Sequence, residues 1–584
     1  MERTARPLAR IAALGALLTA TIALPACEQV DPNSVEYQIQ QLQEKKTKAS
    51  IMKLGDMKAK EAVEPLMKAY EDGRFRADII SALAQIGDKA AAPTLIAAIG
   101  DKGEKEAARL AGTTLLEWDA GAGNSDAMIA VVGDKGMPNE NRYSALQILA
   151  RYPDAKATPV LLNVLKADPD VQPIAMAGLA AEALGKLKVE KAVRHLVRCL
   201  WLDDALGRNA VAECRLALAR IGPKAVPTLI KTLERKNRTV EKRAIKYKFD
   251  KGGIVEAKAA EMLFDQPSAE AVDALIAAMT TLEEMPPSVA ANPQKAQAFV
   301  MGGVQRVIST AKALASIGDT RAVKPMLEIA ESKERPLEHK LAGVQQIAFL
   351  GSTDALKGLL DILDNDVNQY DPVSQGFRVQ VALAIANLVP AGDSKSIKKL
   401  EKELGKIEKQ TNEWIADNQK KIETTFKDKP KAKKQLEADI KGWNDQLKNF
   451  GEVTAKIAVI KACDDAIACY GKKAADEKVA VQLLAAYRLS NAKGDDVPAA
   501  RDALIAAVDA LLGKEKLTLD DPVVLNVLLF GLGRHGDAAS APRIAELQKK
   551  AKARGEKEKS KVFQGALKGS AYTLDLIAGA SAHR

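Results

Sequence analysis

Cysteine is the residue type best placed to do chemistry in this chain, and only five occur in 584 positions. Cys27 stands alone near the start, while Cys199 with Cys214 and Cys463 with Cys469 form two pairs. Cys199 and Cys214 fall on neighbouring expected helices joined by a connection near 203–209, so a disulfide between them is expected in an oxidising compartment. Cys463 and Cys469 flank Asp464-Asp465. Six positions apart on one continuous helix they would face different ways, so a bridge there requires the helix to break at the two aspartates. Core thiols are the simpler alternative for both pairs.

Other chemistry finds little support. The chain has four histidines, His195, His339, His535 and His583. His195 shares a helix face with Cys199, but a metal would need further ligands that the sequence does not place. Glu338-His339 lacks the second histidine of a metalloprotease helix. Neither a glycine-rich phosphate loop nor a Gly-x-Ser-x-Gly elbow occurs. Asp464-Asp465 and Asp520-Asp521 read as helix-start or loop carboxylates. No catalytic residue, metal ligand or cofactor is therefore assigned, and a non-enzymatic role is expected.

The residues before Cys27 say more about place. Arg3, Arg6 and Arg10 precede an apolar or small run over 11–23, and Leu24-Pro25-Ala26-Cys27 follows. A positive head, a short apolar stretch and a small-residue exit make a secretory leader, too short for a comfortable membrane span. Its end resembles the bacterial lipoprotein signal, in which a small residue precedes a cysteine that becomes the acylated first residue. The resemblance implies removal of 1–26 and membrane attachment through Cys27. Glu28, rather than Asp, then implies the outer membrane, on its periplasmic face or at the cell surface; the outer leaflet of the inner membrane stays open. Export also supplies the oxidising setting that disulfides need. A tether with one helix is expected over 27–49.

The body of the chain supplies architecture. Aromatics make up only 4% of residues, and Ala and Leu dominate, which suits closely packed helices and argues against sheet. One unit recurs: Leu83-Ala84-Gln85-Ile86-Gly87-Asp88 before Ala92-Pro93-Thr94-Leu95-Ile96, and Leu218-Ala219-Arg220-Ile221-Gly222 before Val226-Pro227-Thr228-Leu229-Ile230. Ala313-Leu314-Ala315-Ser316-Ile317-Gly318-Asp319 before Val323-Lys324-Pro325-Met326-Leu327 is a third copy, and weaker ones surround Gly55, Pro153, Gly185, Gly351 and Gly533. Apolar residues three or four apart give a buried stripe, Gly closes the helix, and Pro is tolerated in the next first turn. These units resemble HEAT repeats, particularly the short bacterial form seen in phycobilisome-lyase-related proteins. The resemblance implies an all-α superhelix, a HEAT- or armadillo-like solenoid, over 50–393 and again over 451–584.

Between 394 and 450 the pattern changes to 15 Lys and 10 acidic residues. Leu400, Leu404, Ile407, Thr411, Trp414, Asn418 and Ile422 follow near-heptad spacing, and after Pro430 so do Leu436, Ile440, Trp443, Leu447 and Phe450. This predicts an inserted antiparallel helical hairpin with both tryptophans in its seam.

Two basic features remain. One is the stretch 235–253, where Arg243, Lys246 and Lys248 lie near Tyr247 and Phe249; the other is the hairpin tip with Lys429, Lys431, Lys433 and Lys434. Both are candidate contacts for an anionic surface, and both also read as solvated helix faces. The net charge is +10, and loss of three Arg and one Glu with the leader leaves about +8. In an exported protein this points to acidic lipid, envelope polymer or protein rather than nucleic acid. The sequence thus supports a lipid-anchored envelope scaffold for a protein or peptide partner. An enzyme or accessory subunit acting on an envelope substrate, and a binder of anionic membrane or polymer, are its alternatives.

Overall fold

The computed structural model describes residues 31–203, 206–247, 249, 251–364 and 372–584. The leader, Cys27 and Lys248 lie outside them. The chain divides into two compact units, residues 1–148 and 149–584. Helices account for the regular structure of both, and among the described residues the only β-type pairing is one isolated bridge between Asp203 and Asn209.

In the first unit, the helices Lys48–Asp56, Arg76–Ile86 and Lys105–Glu117 pack in sequence as one layer. Val63–Glu71, Ala92–Ile99 and Ser125–Gly133 form the other. The repeat signature explains each turn between layers. Gly87, at φ 78°, closes the Arg76–Ile86 helix, and its N–H donates to the Leu83 carbonyl at 3.1 Å. Only a residue without Cβ takes that left-handed conformation freely. The Asp88 carboxylate then accepts from the Ala90 N–H at 2.9 Å and starts a single 3-10 turn over Lys89–Ala91. The same aspartate contact recurs at 2.9 Å as Asp154 with Lys156 and Asp319 with Arg321.

The second unit has an inner and an outer layer. The inner helices are α1 (Val211–Ile221), α2 (Ile254–Asp265), α3 (Pro293–Ile317), α4 (Leu337–Leu350) and α5 (Pro372–Leu388). They continue as α6 (Pro430–Cys463), α7 (Val479–Ser490), α8 (Asp521–His535) and α9 (Lys561–Ser581). Each packs on the next, and α9 then packs on α1 and α2. The inner layer is therefore a closed ring. Inside it the two arcs touch, α3 against α8 and α4 against α7.

Closure rests on apolar and polar contacts together. Leu567 and Leu574 of α9 are fully buried, and burying a leucine contributes about 1.5–3 kcal/mol. Tyr572 donates to the Ala212 carbonyl at 3.0 Å, Arg220 reaches both Asp575 oxygens at 3.2 Å, and a His583 ring nitrogen lies 2.7 Å from the Arg220 carbonyl. Similar side chains cap other inner helices from across the ring. Asn491 and Arg534 donate to the Ala348 and Phe349 carbonyls at the end of α4, at 3.0 and 3.1 Å. Arg488 donates to Val389 beyond α5 at 2.5 Å. The last carbonyls of a helix have no partner within it, so such donors matter most where water is excluded.

The charged hairpin is also one repeat of this stack. Its outer helix, Ser394–Thr424, packs on Leu356–Asp364, while α6 packs on α5 and α7. The buried residues Val453, Ile457 and Ile460 of α6 occupy the inner layer, beyond the 450 boundary that the sequence suggested. The distal parts extend as an antiparallel pair, with Trp414 and Trp443 ring centres 5.7 Å apart.

Successive inner-side helices approach closely at small residues. A methyl built on Gly185, in the helix Ile174–Lys186, would lie 2.6 Å from the Ala217 Cα of α1, whereas one on Gly303 of α3 meets nothing within 4 Å. Gly185→Ala is therefore expected to lower the unfolding midpoint, and Gly303→Ala to raise stability by about 0.5–1 kcal/mol through reduced chain entropy. Thermal or denaturant unfolding of the two variants checks the opposite signs.

Candidate functional site

A cavity of about 580 Å³ lies between the two arcs of the ring. Along α3 it runs from Gln305 to Ser316, eleven positions and so about 16 Å of helix. Its apolar wall joins both arcs. The Phe530 ring of α8 is centred 5.9 Å from Phe264 of α2 and 4.3 Å from Phe349 of α4, and Phe349 is 4.5 Å from Tyr487 of α7. Its exposed lining residues are Gln305, Lys312, Gln345, Asn526 and Arg584. A second cavity of about 500 Å³, lined by Leu337, Leu341, Phe377 and Gln380, shares Gln345 with the first.

The ionisable groups of the larger cavity are mostly engaged with protein. Arg215 makes a two-pronged ion pair with Asp265, at 2.5 and 2.8 Å. Burial disfavours the Arg215 charge, yet the Asp265 carboxylate outweighs it and holds the guanidinium above its ordinary pKa. Glu261 accepts from the Gln305 side chain at 3.3 Å and from the Ser309 hydroxyl at 3.5 Å. Lys312 is exposed and forms no ion pair among the described residues. The arrangement is suited to holding a ligand: an aromatic wall, exposed amides beside Lys312 and Arg584, and one fixed ion pair.

Sequence reasoning did not find this cavity, because its lining residues come from six helices spread over some 370 positions and share no local motif. The one available signal was the set of aromatic residues Phe264, Phe349 and Phe530 on otherwise aliphatic helices.

The residues that the sequence did single out lie elsewhere. Cys199 and Cys214 are joined as a disulfide with Cα atoms 6.3 Å apart, which leaves no thiol beside His195 to ligate a metal. Cys463 and Cys469 are likewise joined, with Cα atoms 5.4 Å apart. The helix break between them is visible: α6 ends at Cys463, Asp464 and Asp465 take φ values of 46° and 57°, and the next helix begins at Ile467. Among the described residues no group of three or more His, Cys, Asp or Glu is placed to hold a metal ion, and no helix is long and apolar enough to cross a membrane.

The expected basic stretch is only partly available to an outside anion. Arg243 turns inward: it donates to the Trp201 carbonyl at 2.6 Å, sits 3.6 Å from Asp168 and lies over the Tyr247 ring at 4.4 Å. Lys246 is exposed, with its ammonium 4.9 Å from the same ring. At the hairpin tip Lys429, Lys431, Lys433 and Lys434 are all exposed. Lys429 lies over Phe426 and Lys433 comes within 4.0 Å of Glu437.

Several buried titratable groups serve the fold. Lys456 of α6 donates to the Asn387 side chain at 2.8 Å and forms no ion pair among the described residues, and burial lowers its pKa to about 8. His339 and His535 are buried, and desolvation, with nearby arginines adding to it, lowers both to about 4.

Two outcomes follow. Both imidazoles stay neutral in the fold down to about pH 4, whereas in the unfolded chain they take up protons below about 6.5. Stability is then complete above pH 6.5 and lost as pH falls towards 4, by about 3 kcal/mol for each histidine. Unfolding measured across that range should show the loss, and a His339→Gln/His535→Gln double variant should show a shallower slope. Separately, thiol titration of the denatured chain without reductant should find none of Cys199, Cys214, Cys463 and Cys469 free, and four more free thiols after reduction.

Comparison with known proteins gives a repeat type over part of the chain. A family model described as HEAT repeats matches residues 39–115 and 134–214. No curated protein matches. Among solved structures, Kap121p bound to Nup53p aligns at 12% identity over 94% of this chain and 67% of its own, with a TM-score of 0.39. Kap95p, in a structure concerning RanGDP, aligns at 13% identity over 94% of this chain and 84% of its own, with a TM-score of 0.35. Likeness this loose carries no inference about activity or partner. Over residues 39–115 and 134–214, then, the chain is built of HEAT repeats.

Proposed function

We propose that this chain is a lipid-anchored scaffold of the bacterial cell envelope that holds a protein or peptide partner within its helical repeat body. The observation that carries the reading is the cavity between the ring's two arcs. Its wall is aromatic, exposed amides line it beside Lys312 and Arg584, and Arg215 and Asp265 in its lining are paired with each other. Deep pockets of this composition favour binding through apolar burial and a few directional hydrogen bonds. The enzymatic alternative has less behind it, a single long contact between the Ser309 hydroxyl and Glu261 at 3.5 Å.

The membrane part of the proposal rests on the leader and on Cys27, whose acyl chains would each contribute about 0.8 kcal/mol per buried methylene. The outer membrane is the proposed location. The exposed lysines at the hairpin tip favour a secondary contact with an anionic surface.

Site-specific photo-crosslinking in intact cells tests both parts. A photoreactive residue replacing Asn526 in the cavity lining is expected to yield a defined protein adduct, and one replacing Lys431 at the tip is not. Cys27→Ser is expected to move the protein from the membrane to the soluble fraction. Failure of the Asn526 position to capture any protein would overturn the scaffold reading.

A further inference from the structure

Gln346 marks what the cavity lacks. It is 4% exposed on α4, lines the cavity, and its side-chain oxygen has no hydrogen-bond partner among the described residues. An unsatisfied buried polar atom costs about 1–3 kcal/mol, so the site is incomplete as it stands. Neighbouring amides continue the pattern. Gln345 lies next to it at the junction of the two cavities, Gln380 lines the second, and Asn526 faces the first from the opposite arc. Gln345 and Asn526 make no hydrogen bond among the described residues.

A primary amide offers one donating and one accepting edge, the complement of a peptide group. Several such side chains beside a cavity about 16 Å long match an extended backbone of about five residues at roughly 3.3 Å each. The aromatic wall of Phe264, Phe349 and Phe530 provides for one apolar side chain carried by that backbone. The phenyl wall itself carries no charge, while the rest of the lining holds the Arg215–Asp265 ion pair, Glu261, Lys312 and Arg584, so a preference for an apolar side chain rests on contact with the three rings.

From this geometry we infer that the cavity binds an extended peptide segment, its backbone held by Gln345, Gln346 and Asn526 and one apolar side chain seated against the three phenyl rings. This rests on the scaffold reading above and names the chemistry of its partner at that site.

The test uses the full mature chain and end-blocked, fluorophore-labelled heptapeptides of Gly and Ser with a single central Phe, Leu, Asp or Lys, followed by fluorescence anisotropy. The Phe and Leu peptides are expected to bind at least tenfold more tightly than the Asp and Lys peptides. Methylating the two backbone nitrogens that flank the central residue should weaken binding about tenfold. Gln345→Ala, at an exposed position that the fold does not need, should weaken it at least fivefold, and so should the near-isosteric Gln346→Leu. Equal binding of charged and apolar peptides, indifference to N-methylation, or no binding by any peptide would each overturn the inference. A protein adduct from position 526 alongside such a result would leave the scaffold reading standing and remove only this one; peptide binding with no adduct in cells would do the reverse.

Discussion

A pair of short helices cannot hide its own apolar stripe, so every pair in this protein depends on the next one to cover it. The cover works only if the helices come close, and small residues make that possible. At Gly185 even one added methyl would collide with the backbone of α1. Repetition then creates a second demand, because the last pair of any stack has no successor. In the second unit that demand is met internally: α9, the last inner helix, lies on α1 and α2.

Closure turns a stack into a container. Inner helices that would line an open concave surface instead face each other across a short distance, with Phe264, Phe349, Phe530 and Tyr487 filling part of the space. What remains unfilled is the candidate site. Helix ends help to define it, since Asn491, Arg534 and Arg488 satisfy carbonyls that repeated helix termination leaves exposed inside the ring. Among the cavity's own polar groups, Arg215 pairs with Asp265 and Gln305 with Glu261, whereas the Gln346 side-chain oxygen has no protein partner among the described residues.

The repeat architecture was legible in the sequence because its determinants are local. An apolar stripe, a glycine with positive φ, an aspartate two residues before the amide it accepts, and a proline in the next first turn lie within about fifteen positions of one another. The hairpin was legible for the same reason, through the stripes that carry Trp414 and Trp443. The segment of α6 around Ile457 falls within the stretch assigned to repeats from the sequence, and its contacts with α5 and α7 place it in the inner layer. Ring closure and the cavity were not legible at all. Arg220 with Asp575 and Ala212 with Tyr572 join residues more than 350 positions apart, and no periodicity points from one to the other. Arg243 shows the converse error, since a charge in a basic run looks solvated until Trp201 and Asp168 are seen around it.

The long reach of that closing contact bears on how the molecule comes into being. A polypeptide delivered from its amino end can assemble neighbouring pairs as they emerge, because each needs only the one before it. The seam between α1 and α9 has to wait until nearly the whole chain is present, and contacts of such sequence separation are slow to form. Until then the phenyl rings of α2 and α4 lack their counterpart on α8, and the compartment between the arcs does not exist. The compartment in this body is thus completed last, when the final helix reaches α1 and α2.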